Sequence, residues 1–202
     1  MKRLLLFILL LLLTGTVSAQ RDLTYKWSMT AEYGLSSLDG DGDSSIQPAY
    51  GVSAEYAFLP FAGVSVDYYF FPLRGPAFST QLNAADLNLT VNLNRLFFSS
   101  ADYKVILKGY VGYGIAGYTT KYTASTSPFG ASVHTTTSSF PVLALSVEYY
   151  LNKALSVGAK SQFRPFNQNN LEGDPRITLD NTSNDNLVAV SLYLRVKFVG
   201  DN

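Results

Sequence analysis

From Thr24 to Gly34 the chain reads TYKWSMTAEYG, with Tyr25, Trp27, Met29, Ala31 and Tyr33 at odd positions and Lys26, Ser28, Thr30, Glu32 and Gly34 at even ones. A period of two predicts a strand with unlike faces. The pattern returns along the chain. PAYGVSAEYAFL (48 to 59) sets Tyr50, Val52, Ala54, Tyr56 and Phe58 against Gly51, Ser53, Glu55 and Ala57, and AGVSVDYYF (62 to 70) sets Val64, Val66, Tyr68 and Phe70 against Ser65, Asp67 and Tyr69. ADLNLTVNL (85 to 93) and YKVILKGYVGYGI (103 to 115) follow, then PVLALSVEYYL (141 to 151), LSVGAKSQF (155 to 163) and LVAVSLYLRVKF (187 to 198). These make about eight strands of about ten residues, the length of a tilted membrane-crossing strand.

The connections carry a second signal. LSSLDGDGDSSIQ, PLRGPAFSTQ, TTKYTASTSPFGASVHTTTSS and PFNQNNLEGDPRITLDNTSNDN alternate with Pro60-Phe61, NRLFFSSAD and Asn152 to Ala154. Long and short links alternate as in membrane barrels with long extracellular loops and short periplasmic turns, which puts the N-terminus of the barrel in the periplasm. A soluble barrel of the lipocalin kind would turn the aromatic face inward onto a ligand. The sorted loops, and the lack of a Gly-x-Trp near the first strand, favour the opposite orientation, with Trp27, Val66, Leu89, Leu107 and Val157 against lipid. The expected fold is all-β: an eight-stranded antiparallel up-and-down transmembrane β-barrel, with a soluble ligand-binding barrel as a minor alternative.

Composition agrees. Charged residues are 15% of the 202, while Tyr and Phe number 14 and 13. With no cysteine, neither a disulfide framework nor a cysteine-ligated metal or lipid anchor is available. Formal net charge is zero, so no basic field for nucleic acid exists. The start, MKRLLLFILLLLLTGTVSAQ, has Lys2 and Arg3, an apolar run from Leu4 to Leu13 and a small-residue site at Val17-Ser18-Ala19. It reads as a cleaved secretory signal over residues 1–19, with Gln20 opening a mature barrel domain of residues 20–202. As a membrane anchor the run is short of the roughly 20 residues a spanning helix needs.

These features resemble the small eight-stranded outer-membrane barrels of the OmpA and OmpX kind, including porin-like Gram-negative members. KGYVGYGIAGY (108 to 118) is similar to their Gly- and Tyr-rich fifth strand, and LYLRVKF ends on Phe198 as their assembly signal does. The resemblance implies that Leu192, Leu194, Val196 and Phe198 are read by the barrel-assembly machinery. It also implies outer-membrane lipid and lipopolysaccharide as surroundings. The family usually ends on the aromatic residue, whereas Val199 to Asn202 follow here. No peptidoglycan-binding segment is recognised, so cell-wall anchoring by the chain itself is not expected.

Eight strands enclose a lumen just wide enough for side chains to fill. Its face carries Glu55, Asp67, Lys108 and Lys160 at middle depth, with Glu148, Arg164, Arg195 and Lys197 nearer the strand ends. Opposite charges in so narrow a space should pair, so Glu55 or Asp67 faces Lys160 across the barrel. Tyr69, Phe71, Tyr110, Tyr118 and Tyr150 add bulk, with Gly112 and Gly114 making room. The expected lumen charge network is Glu55, Asp67, Lys108, Glu148, Lys160 and Arg164, which plugs the barrel rather than forming an ion path.

Candidate chemistry is sparse. The one histidine, His134, lies in HTTTSSF, where Ser132, Ser138 or Ser139 are its available nucleophile partners. Outer-membrane lipid A deacylases pair His and Ser on a strand at a fixed offset that HTTTSS does not reproduce. Asp39, Asp41 and Asp43 alternate with Gly40 and Gly42, but an EF-hand loop would need Gly at 44 and Glu at 50, where Ser44 and Tyr50 stand. They are weak divalent-cation candidates, and a polar turn explains them as well. No cofactor is implied. The expected protein is non-enzymatic, acting in adhesion or surface interaction through its loops and in membrane integrity. A narrow porin or transporter of small, even hydrophobic, molecules is the alternative, and the sequence names no loop ligand.

Overall fold

The computed structural model describes residues 25–39, 45–75, 78–97, 104–122, 133–166 and 186–199. Eight strands run β1 (Tyr25–Asp39), β2 (Gln47–Ala57), β3 (Ala62–Arg74), β4 (Phe78–Asn92), β5 (Val105–Tyr122), β6 (Val133–Tyr150), β7 (Leu155–Pro165) and β8 (Asn186–Val199). Each pairs antiparallel with its neighbour in sequence, and β8 pairs with β1 from Asp39↔Asn186 down to Trp27↔Phe198. The sheet is a closed barrel, so no strand is left with an unpaired ladder edge. Within a hydrocarbon slab that closure is what satisfies every backbone donor and acceptor of the strands.

Parity decides the faces. The odd side chains of β1 stand outside, with Trp27 at 55% and Met29 at 59% exposure, while the alternating even ones, Ser28, Thr30 and Glu32, are buried in the lumen. Val66, Leu89, Leu107 and Val157 are likewise exposed on the outer surface. The apolar positions therefore cover the outside, the inverse of a soluble barrel. Aromatic side chains band this surface at two levels. Trp27 packs on Tyr56 at 4.8 Å near one rim, and Tyr33, Tyr50 and Phe70 form a row along neighbouring rungs higher up. Such girdles mark the two membrane–water interfaces.

The strands outrun the sequence pattern at one end. PLRGPAFSTQ is not a long loop: β3 continues to Arg74, β4 begins at Phe78, and the Gly75 N–H donates to the Phe78 carbonyl at 3.0 Å. NRLFFSSAD is not as short a link as expected, since a short helix α1 (Leu93–Phe97) runs into it. β5 and β6 extend over much of TTKYTASTSPFGASVHTTTSS, and His134 lies within β6 opposite Thr120, not in a loop. Above the lipid the outer face of a strand meets water rather than hydrocarbon, so the outward apolar alternation fades. The ladder continues because Thr-rich segments suit an extended backbone. Links β1–β2, β3–β4, β5–β6 and β7–β8 lie at this end, which is the extracellular one by the placement of the longer loops.

Candidate functional site: a charged lumen under an apolar cap

Three levels of side chains fill the barrel. At the lowest, nearest the periplasmic turns, Glu55 of β2 accepts from Lys108 of β5 at 3.0 Å and from Arg195 of β8 at 2.8 Å. Glu148 of β6 meets Arg195 at 3.1 Å and Lys197 at 2.7 Å, and accepts the Ser156 hydroxyl at 2.7 Å. The remaining donors of Arg195 reach Thr30 at 3.1 Å and the Tyr110 hydroxyl at 3.2 Å. Six strands, all but β3 and β4, are thereby tied together by side chains alone.

At the middle level Lys160 of β7 is the hub. Its ammonium lies 3.0 Å from Asp67, 3.3 Å from Glu32 and 2.7 Å from the Tyr69 hydroxyl. Glu32 also accepts from Ser191 at 3.0 Å and Gln162 at 3.1 Å. Asn88 donates to Asp67 at 3.1 Å. Beside this hub Arg164 grips Asp86 through Nη2 at 2.6 Å and Nε at 3.2 Å, its guanidinium over the Tyr69 and Phe71 rings. Tyr110 joins the two levels, its ring 4.6 Å below the Lys160 ammonium and its hydroxyl on Arg195. A charge buried so deeply is tolerated only when paired and hydrogen-bonded, which is why acids and bases alternate across the narrow bore.

The third level is apolar. Phe71, Leu82, Phe140, Phe166 and Leu187 are all at 0% exposure, with Leu73 at 1% and Leu38 at 4%, and Phe140 packs on Phe166 at 4.5 Å. Together with Tyr69 and Tyr118 they form a hydrophobic core inside the extracellular end of the barrel. Gly114 makes this possible on β5, since a Cβ there would collide with Asp86 and Phe140; one at Gly112 would collide with Asn88 and the Leu87 carbonyl.

The structure thus brings Glu55, Lys108 and Glu148 together in one cluster and Asp67 and Lys160 in another, with Arg164 beside the second. Glu55 is not a partner of Lys160; it belongs to Lys108 and Arg195. Sequence reasoning left out Glu32 and Asp86, although both sit at inward parity, and it placed Arg195 and Lys197 at strand ends rather than inside the network. It named Tyr69, Phe71 and Tyr118 as lumen bulk but missed the rest of the cap, because Leu38, Leu73 and Phe166 fall where loops were expected and Leu82 and Phe140 fall between the expected loops and strands. Leu192, Leu194, Val196 and Phe198 line the outer face of β8. Asp39 is exposed at the end of β1, while Asp41, Asp43, Ser132, Ala19, Gln20 and the whole segment of residues 1–24 lie outside the described residues. Among the described residues no three His, Cys, Asp or Glu side chains are grouped to hold a metal ion. Ser138 points into the lumen, and Ser139 points out and shares a hydrogen bond with Tyr113 at 3.0 Å.

The family model described as the outer membrane protein beta-barrel domain matches residues 7–198. No curated protein sequence matches the chain. Among solved structures, Neisserial surface protein A is similar over 85% of this chain and 97% of its own, at 16% identity and a TM-score of 0.60. A major outer membrane protein of Thermus thermophilus aligns over 85% of this chain and 99% of its own, at 14% identity and 0.58. Ail, the attachment invasion locus protein of Yersinia pestis, aligns over 87% of this chain and all of its own, at 9% identity and 0.53. Likenesses at such identities show the shared fold. The match over almost the whole sequence, together with a closed barrel whose apolar face points outward, assigns the chain to the outer-membrane β-barrel protein family and locates it in the bacterial outer membrane.

Proposed function

We propose that this protein is a closed, non-enzymatic surface barrel: it contributes its outer face to the membrane and its extracellular end to contacts outside the cell, and it passes no solute through its lumen. The observation that carries this reading is the stack of two ion-paired levels beneath an apolar cap whose Phe71, Phe140 and Phe166 are at 0% exposure. A water column needs polar, accessible walls at every level, and the cap offers none. The surface half of the reading draws support from fold likeness to Ail, named for attachment and invasion and solved also with the heparin analogue sucrose octasulfate. The closing strand's outer side chains, Leu192, Leu194, Val196 and Phe198, are available to the barrel-assembly machinery in this reading.

Planar-bilayer recording of the refolded protein tests the closed lumen. Little steady conductance is expected. Large, stable, ion-selective openings in the unmodified protein would overturn the plug and promote a narrow pore.

A further inference from the structure

Below the lowest ion-paired level, the periplasmic mouth forms a half-open cavity of about 110 Å³. Lys108, Arg195 and Lys197 line it from above, and Lys26 of β1 and Arg95 of α1 stand at its rim. Glu55 is the one carboxylate among the described residues of its wall. The buried cluster behind that wall holds three cations, Lys108, Arg195 and Lys197, on two carboxylates, Glu55 and Glu148. The surplus is therefore positive on the side facing the periplasm, and the rim adds two more positive charges. The middle level, with Glu32 and Asp67 on Lys160 and Asp86 on Arg164, has one carboxylate in excess, but it lies beyond Tyr110 and does not offset the surplus at the wall.

Surplus charge of one sign gathered in a cleft with protein walls draws a counter-ion. The donors here are of a particular kind: a guanidinium from α1, whose first turn is fixed by Asn92 accepting the Arg95 N–H at 3.1 Å, ammonium groups, and the Ser28 hydroxyl. Guanidinium and ammonium groups converging on one small volume suit a tetrahedral oxyanion, whose several oxygens take several donors at once. The cavity has room for such an ion. From this geometry we infer that the periplasmic mouth is a binding site for a phosphate-class oxyanion, either free in the periplasm or borne on a phospholipid headgroup of the inner leaflet.

The test uses the full mature barrel refolded in an uncharged detergent, with inorganic phosphate followed by phosphorus NMR line broadening. Lys26→Gln with Arg95→Gln removes the rim charges and leaves the ion-paired cluster intact, and heat-dependent gel mobility checks that the barrel has closed. Arg95→Gln alone serves if the double variant does not fold. Phosphate affinity should fall about tenfold or more in the rim variant. It should be unchanged in Lys104→Gln with Lys153→Gln, which removes charge from the same end outside the cavity wall. Reconstitution in phosphatidylcholine vesicles with and without phosphatidylglycerol separates the sources. Loss of phosphate binding in vesicles of either composition, with binding retained in detergent, identifies a headgroup phosphodiester as occupant, and persistence in both identifies the free ion. Absence of phosphate binding, equal competition by chloride, or an equal loss in both charge variants would overturn the inference.

Discussion

Lys160 is the residue on which the middle of the lumen turns, because it answers both Asp67 and Glu32. Lys160→Met should lower unfolding stability in urea by about 3–5 kcal/mol, since it leaves carboxylates buried without their cation. Adding Asp67→Asn should recover part of that loss. Adding Glu55→Gln should not, because Glu55 is held by Lys108 and Arg195. Gly112→Ala should cost about 1–3 kcal/mol, for the new methyl meets the Leu87 carbonyl, which cannot swing aside. At this scale the sequence is legible in parity but not in partnership. Glu32 and Asp86 could be assigned to the lumen from their alternation with Ala31 and Leu87. Which cation each would meet depends on the stagger of strands around the closed barrel, a quantity no single strand contains.

Strands obey a depth rule. Leu89, whose neighbours on adjacent strands are Val64 and Val111, stands amid the apolar band, so Leu89→Arg should destabilise the inserted barrel by about 2–4 kcal/mol. Leu107, two residues above the start of β5, should tolerate the same change better, and Val133, at the extracellular end of β6, should cost about 0–1 kcal/mol. Asn88→Arg would act on lumen packing instead, through its contact with Asp67. Reversible folding in lipid vesicles gives all four values, and equal costs would contradict the assignment of faces. Element existence and facing were readable because lipid imposes a strict period of two. Upper strand ends were not, because that constraint stops where the hydrocarbon stops, and Ser36, Thr119 and Thr137 say nothing about whether the ladder continues.

For the whole molecule, closure is the property that matters most. With β1 joined to β8 from Trp27 to Asp39, unfolding must break a seam rather than peel an edge. The protein should therefore migrate at different apparent sizes before and after boiling in detergent gels, and it should fractionate with outer membranes. Recovery as a detergent-free soluble monomer would be incompatible with the exposed girdles that hold Trp27 at one level and Tyr33 and Tyr50 at the other. The architecture and its orientation to lipid were legible from alternation and from the sorting of links. The apolar cap was not, because it is assembled from the ends of several strands and no local segment announces it.

The length of β5 and β6, 18 residues each, has an immunological consequence. At ~3.3 Å per residue and a tilt near ~40°, such a hairpin rises ~45 Å, against an apolar band of ~25 Å. Its upper rungs, where Thr119 meets Thr135 at 3.2 Å, stand clear of the hydrocarbon. What an antibody meets there is a paired ribbon whose side chains come from two segments at once. An epitope on these rungs is conformational. Sera raised against the folded barrel should lose that reactivity once the protein is boiled, and linear peptides from either strand should fail to absorb it.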